Sequence, residues 1–360
     1  MKKVCMLGSG AFATAVSALL ADNGLQVNMW CYDPMVAKSV ETKHCNEAYF
    51  PDAKLSENIK PFIDIEKAMD GCEIIFEATP VAFLRSVLQK AKPYFSDTQT
   101  WVVLSKGIEN ETLLFSSQII DDIFQSSVKK VVVSGPSFAK DIIAKQVTGV
   151  DIASKDEKLS QNISQILSND YFKTFFTTDT LGLQIGGALK NVAAIAIGML
   201  DGAGHADNTK AFALHEFLQE MLLFAKLLGA QEKTLYGLSG IGDLVATCMG
   251  GSSRNLMFGR LLGQGKTLKE AKEVFSKIGN LSQSAVPEGI NTVKSVYQMT
   301  QLIASLKKGE KGYEMAHSTI IGDKLLIRKE EIPKFRLFET IYAIIFEDQP
   351  VESLVRALLQ

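Results

Sequence analysis

The 360-residue chain is poor in the residues that staple folds or hold metals. Its five cysteines, Cys5, Cys31, Cys45, Cys72 and Cys248, form no C-x-x-C pair. Its four histidines, His44, His205, His215 and His317, show no metal-ligand spacing. That speaks against a disulfide framework or a zinc site and fits a reducing compartment. An excess of one charge is also missing. With 38 Lys+Arg against 40 Asp+Glu the net charge is −2, which offers no electrostatic grip on nucleic acid. No serine stands in a nucleophile-elbow setting. The opening "MKKVCML" has too short an apolar stretch for a signal peptide and runs into a glycine turn. The longest apolar run, 185–200, is interrupted by Lys190 and Asn191 and falls short of the ~20 residues of a membrane span. The expectations are therefore no nucleic acid, no membrane and a cytoplasmic location.

What is present is an ordinary globular composition, 46% hydrophobic and 22% charged, with length for about two domains. The first half alternates short β-like runs with helical stretches. Strands are expected at 3–7, 26–30, 73–79, 100–105, 129–134 and 149–154, with helices between most of them at 11–23, 81–91 and 111–125. Nearly continuous apolar strands separated by helices predict a parallel, doubly covered α/β sheet that binds ligands at the carboxyl ends of its strands. From about residue 181 the strand signal fades, and helical spacing dominates 181–200, 208–228, 267–276 and 288–306. The reading is an α/β fold with a doubly wound domain, 1–180, followed by an all-helical domain, 181–360, and an active site in the cleft between them. Within 307–336 thirteen of thirty residues are charged, eight of them basic, as in a solvated loop or hairpin.

Gly8-x-Gly10-x-x-Ala13 follows the first expected strand and opens a helix. The first glycine permits a tight turn, the second lets backbone approach a pyrophosphate, and Ala13 allows close helix–strand packing. An ordinary βα turn is the alternative. The second strand ends "MWCYD", where Asp33 either bonds a ribose hydroxyl or opens a turn with Pro34. No arginine follows immediately to meet a 2′-phosphate, which favours NAD, with NADP possible. In "GALKNVAAIAIG" (187–198) Lys190 and Asn191 interrupt a run of small and aliphatic residues. Lys190 either snorkels to the surface or is held desolvated for proton transfer.

Four further stretches, "SKGIE" (105–109), "SGPSFA" (134–139), the lysine helix and "GIGDLVATCMGGSSRN" (240–255), bring a family into view. In this order and spacing the chain resembles the NAD(P)-dependent glycerol-3-phosphate dehydrogenases of the soluble bacterial and trypanosomatid type. The resemblance implies a Rossmann-type N-terminal domain, a helical substrate domain and a homodimer. It implies hydride transfer between NAD(P)H and dihydroxyacetone phosphate, feeding glycerolipid synthesis and NAD balance. Lys190 would be the general acid/base, with Asn191 and Asp243 beside it as catalytic residues. Cofactor contacts would fall on Gly8, Gly10, Ala11, Phe12, Ala13, Ala139, Arg254, Val286 and Glu288. Substrate contacts would fall on Lys106, Gly135, Ser137, Lys190, Asp243, Ser253, Arg254 and Asn255, with Arg254 and Asn255 clamping the phosphate; no metal is implied. Each has a plainer reading: Lys106 as a turn lysine, Asp243 as a helix N-cap, "SSRN" as a serine cap with a surface arginine, Pro136-Ser137 as a helix start, Glu288 as a first-turn acid, and Phe12 as core.

Some positions depart from the family. Tyr32 stands where many relatives carry a basic residue, and Glu216 where an arginine is frequent. The 307–336 segment resembles an insertion, read as a surface loop, with a lid or subunit contact as the alternative. Glu77 breaks an otherwise apolar strand with nothing in the sequence to explain it. Two competing functions stand beside the leading one: a β-hydroxyacid or sugar-acid dehydrogenase, which needs a carboxylate clamp, and a non-catalytic dinucleotide sensor, which needs no proton shuttle.

Overall fold

Short runs of Val, Ile, Met and Leu with helices on either side form strands that are buried on both faces. The computed structural model describes residues 2–125, 128–251, 253–277, 287–305 and 334–360. Its strands are β1 (Lys3–Leu7), β2 (Gln26–Trp30), β3 (Ile59–Phe62), β4 (Ile74–Glu77), β5 (Thr100–Val103), β6 (Lys129–Ser134), β7 (Thr148–Ala153) and β8 (Phe172–Thr177). They form one sheet in the order β3-β2-β1-β4-β5-β6-β7-β8. The winding reverses between β1 and β4, the switch point at which such sheets bind ligands beyond their carboxyl ends. The helices among these strands are α1 (Ala11–Asp22), α2 (Pro34–Lys43), α3 (Ile65–Met69), α4 (Val81–Ala91), α5 (Ser116–Phe124), α6 (Ala139–Ile143) and α7 (Glu157–Leu167).

The parallel sheet expected from the sequence forms with one antiparallel seam: β6 and β7 run antiparallel, while the other pairings are parallel. Only the five-residue α6 lies between β6 and β7. No long crossover helix packs over the sheet there, and the chain turns back to pair β7 directly against β6. β3 and β8 were not expected. β3, "IKPF", carries Lys60 and Pro61, which an edge strand tolerates, and β8 leaves Phe175 and Phe176 exposed at the opposite edge. Helix α5 begins at Ser116 rather than at 111. The residues before it fold back on themselves through a bridge between Ile108 and Phe115, with Leu113 at φ 60°.

The chain forms two compact units, Met1–Lys106 with Ser116–Leu183, and Gly107–Phe115 with Gln184–Gln360. Residues 107–115 join the second because the Ser295 hydroxyl reaches the Ile108 carbonyl (3.0 Å) and Asn110 Oδ1 (2.6 Å). The helices that follow β8 are α8 (Thr180–Gly202), α9 (Asp207–Leu227), α10 (Glu232–Leu235), α11 (Asp243–Met249), α12 (Arg254–Gly263), α13 (Leu268–Phe275), α14 (Glu288–Ser305), α15 (Arg336–Phe346) and α16 (Glu352–Leu358). A π-helical turn, Leu238–Gly242, leads into α11.

α8 runs past the apolar stretch seen in the sequence. At 23 residues and mean hydropathy 1.5 it has the length and composition to cross a membrane, yet its apolar window is wholly buried within the protein. Small residues bring its backbone against two neighbours. A Cβ on Gly198 would lie 2.2 Å from the Leu256 carbonyl of α12, and one on Gly186 would lie 2.3 Å from the Ser239 carbonyl of the π-turn. Close backbone approach of this kind fixes how α11 and α12 present their side chains to α8.

Candidate active site

In the first unit the expected glycine turn forms where β1 gives way to α1. Gly8 has φ 130°, and a Cβ there would meet the Ala78 carbonyl at 3.0 Å, so the turn admits little but glycine. Gly10 caps α1 with open space where its Cβ would stand. Room above Gly10 and free N–H groups at a helix start are what a pyrophosphate needs, so the residues present fit a dinucleotide. Ala11 and Phe12 form the first turn with no acidic residue to repel an anion, and Phe12 also packs on the core. Ala13 is buried. Asn46 was not anticipated. Its amide nitrogen donates to the Ser9 carbonyl (2.9 Å) and to the Thr14 hydroxyl (2.8 Å), pinning the loop from 37 residues away. At the end of β2, Asp33 caps α2 by accepting the Met35 N–H at 2.8 Å, as the turn reading expected. Tyr32 is exposed, and the Lys90 ammonium lies 5.8 Å from its ring centroid, so a cation does stand beside this strand end.

Beyond β5 and β6 three expected residues converge on one carbonyl. Lys106 Nζ donates to the Gly135 oxygen at 3.0 Å, and Ser137 Oγ donates to the same oxygen at 2.9 Å. Gly135 has φ 151°, and a Cβ would press to 2.9 Å from Val150 Cα. Ala139 opens α6 beside them and packs on the core.

In the second unit Lys190 does not snorkel. It is 8% exposed, with Nζ 2.5 Å from Asp243 Oδ1 and 3.1 Å from Thr247 Oγ1. Asp243 is the first residue of α11, after Gly242, rather than a side-chain cap. Thr247, one turn later on the same face, was missed, although the i, i+4 spacing was legible. The carboxylate compensates the buried ammonium, and the threonine supplies a second polar group at the nitrogen. Cys248 is also buried here, and burial pushes its thiol well above the ordinary range, so it stays a neutral wall.

Asn191 Oδ1 accepts from Asn255 Nδ2 at 2.9 Å, and Asn255 Oδ1 accepts the Gly289 N–H at 3.1 Å. This chain locks α8, α12 and the start of α14 together around Lys190. It leaves Asn255 one amide hydrogen for anything else. Ser253 caps α12 by accepting the Leu256 N–H at 3.2 Å and keeps its own hydroxyl proton to donate. Arg254 is the first residue of α12, its guanidinium carbon 5.4 Å from the Phe275 ring centroid. Glu288, itself exposed, opens α14, whose next residues Gly289 and Ile290 are buried. Val286, and most of the charged 307–336 segment, lie outside the described residues.

The same two-part organisation is found among known proteins. Family profiles described as the N-terminus and the C-terminus of NAD-dependent glycerol-3-phosphate dehydrogenase match residues 3–160 and 179–356. This chain belongs to that family. The glycerol-3-phosphate dehydrogenase [NAD(P)+] of Staphylococcus epidermidis is 35% identical over 100% of this chain and 98% of that relative. The Bacillus subtilis protein of the same name is 33% identical over 100% of this chain and 94% of its own length. Among solved structures, the glycerol-3-phosphate dehydrogenase of Coxiella burnetii superposes with a TM-score of 0.85 at 26% identity, covering 100% and 99% of the two chains. A yeast glycerol-3-phosphate dehydrogenase superposes with a TM-score of 0.77 at 24% identity over 100% and 99%, which bears on the fold alone. The chain is thus an NAD(P)-dependent glycerol-3-phosphate dehydrogenase acting on a small-molecule substrate. The hydroxyacid dehydrogenase and sensor readings fall away.

Proposed function

We propose that this dehydrogenase interconverts dihydroxyacetone phosphate and sn-glycerol 3-phosphate with Lys190 as its general acid/base. The observation that carries the reading is a buried ammonium held at 2.5 Å by Asp243 and at 3.1 Å by Thr247. NAD(P)H, when held by the glycine turn, would supply the hydride for C2 of the ketone. Lys190 then supplies the proton to the C2 oxygen, and in the oxidative direction the neutral amine takes it back. A placed acid of this kind contributes ~10²–10⁴-fold in rate. Asp243 balances the ammonium charge, while Thr247 and the Asn191–Asn255–Gly289 chain hold Lys190 in register.

Arg254 takes the substrate phosphate through its planar fork, with Ser253 and the remaining Asn255 N–H as further donors. Lys106, steadied by Gly135 beside Ser137, adds a second cation for the same anionic substrate. The Gly8-x-Gly10 loop, Ala11, Phe12, Ala13 and Ala139 hold the dinucleotide, and Glu288 adds a further contact. The preferred cofactor is NAD, since Asp33 repels a 2′-phosphate. The enzyme works as a cytoplasmic homodimer and feeds glycerolipid synthesis and NAD balance. The five cysteines, all without disulfides, fit a reducing compartment.

The test follows nicotinamide absorbance with dihydroxyacetone phosphate and, separately, with 3-hydroxy acids, each with both cofactors. Turnover is expected with the phosphorylated ketone alone, and faster with NADH than with NADPH. Turnover of the acids in its place overturns the assignment.

A further inference from the structure

Glu77 ends β4 and is fully buried, in a strand that otherwise reads Ile-Ile-Phe. A carboxyl group left there without partners would be strongly unfavourable, whereas an aliphatic side chain would complete the strand. Both of its oxygens are engaged. Oε1 accepts the Thr79 N–H at 2.7 Å and Oε2 accepts the Ser105 hydroxyl at 2.7 Å. Ser105 immediately precedes Lys106, and its oxygen lies 2.8 Å from the hydroxyl of Ser116, the first residue of α5.

A serine hydroxyl has one proton to give. While Ser105 donates to the carboxylate, Ser116 must donate to Ser105, so the relay runs inward and terminates on Glu77. A second branch leads to the phosphate loop. The Thr79 hydroxyl donates to the Leu7 carbonyl at 3.3 Å, and Leu7 pairs with Glu77 across the β1–β4 ladder just before Gly8. One side chain at the switch point therefore ties the loop after β4, the strand that feeds the phosphate loop, and the turn after β5 that ends in Lys106.

We propose that Glu77 is a positioning residue for Lys106: through Ser105 it fixes the turn that delivers the Lys106 ammonium to the Gly135 carbonyl, 3.0 Å away. The consequence for turnover rests on the proposed function, because Lys106 matters there as a cation for an anionic substrate. The geometric claim does not. Ser105→Ala cuts the Lys106 branch and leaves the Thr79 branch intact. Glu77→Leu cuts both. Glu77→Gln keeps an acceptor for Thr79 and a hydrogen bond to Ser105, with the relay reversed.

Two readouts test this on the full chain. The first is the acylation rate of Lys106 by an N-hydroxysuccinimide ester, read by peptide mass spectrometry without substrate or cofactor. Loss of one charge-assisted hydrogen bond should speed acylation roughly tenfold in Ser105→Ala and Glu77→Leu, with Glu77→Gln near wild type. The second is KM for dihydroxyacetone phosphate. It should rise by a similar factor in Ser105→Ala, with the NADH dissociation constant kept, and Ser105→Ala should add nothing to Lys106→Ala. Acylation unchanged in Ser105→Ala, or a KM effect that adds in full to that of Lys106→Ala, overturns the proposal. If wild type fails to turn over the ketone, the proposed function falls, while the acylation rates still decide the role of Glu77.

Discussion

The two units hold their parts of the chemistry by different means. In the first, backbone sets the candidate site: a loop at φ 130°, a helix start with open space above it, and a carbonyl shared by Lys106 and Ser137. In the second, side chains hold one another. Lys190 is fixed by partners 53 and 57 residues away, and Asn191 by one 64 residues away. A dinucleotide presents the same phosphates to any enzyme and can be met by a generic turn. Proton transfer to one oxygen needs a single nitrogen in one place, and only a satisfied buried network keeps it there. The contrast predicts that damage to the Gly8–Gly10 turn appears in cofactor affinity, and damage to the second unit's side-chain network in substrate affinity or rate.

The largest separation should come from Arg254→Ala. Losing a forked pair of charged hydrogen bonds should raise KM for dihydroxyacetone phosphate roughly a hundredfold while NADH binding is kept. Steady-state kinetics beside a fluorescence titration of NADH would show it; an unchanged KM places the phosphate elsewhere. Gly8→Ala is the mirror image. Strain at φ 130° and the 3.0 Å approach to the Ala78 carbonyl should weaken NADH binding about tenfold, with kcat at saturating cofactor preserved. If kcat collapses instead and affinity holds, the division of labour is wrong.

The smallest effect on turnover belongs to Glu220, which sharpens the contrast inside the second unit. Where Lys190 meets a carboxylate at 2.5 Å, Glu220 of α9 accepts, among the described residues, the backbone N–H groups of Leu337 (2.8 Å) and Phe338 (3.2 Å) at the start of α15, with the Arg336 charge nearby. Burial pushes its carboxyl up to about 7 from an ordinary 4.5, against the lowering effect of those two bonds. A carboxyl raised in the folded state favours the protonated form there. Its stabilising contribution is complete below about 4.5 and is lost as the pH rises through about 7. Between pH 5 and 8.5, wild type should lose stability relative to Glu220→Gln, by on the order of 2 kcal/mol in urea unfolding. A difference flat with pH would show that Glu220 is charged throughout.

The backbone-built unit was the more legible one. Gly8-x-Gly10-x-x-Ala13 announces its own turn because the constraint is local, and six strands followed from apolar runs. β3 escaped because Lys60 and Pro61 sit at an edge, and β8 because Phe175 and Phe176 face outward, so neither carries the pattern of a buried strand. The antiparallel seam between β6 and β7 is set by how the chain turns back beyond β6, which periodicity does not report. In the second unit the sequence showed that Lys190 and Asn191 were out of place in an apolar helix. Which residues met them was knowable only through family likeness, because pairing across more than fifty residues leaves no local trace. Asn46 and Glu77 mark the limit: an asparagine far from the loop it pins, and an acid whose partners lie just beyond its own strand and just beyond β5.

The central claim is that the buried amine of Lys190 moves the proton while the glycine loop only binds. Lys190→Ala tests it most directly, with the NADH dissociation constant and the single-turnover rate on dihydroxyacetone phosphate measured on the same preparation. The account predicts an affinity within about threefold of wild type and a rate lower by ~10²–10⁴-fold. A rate retained within a few-fold would contradict it.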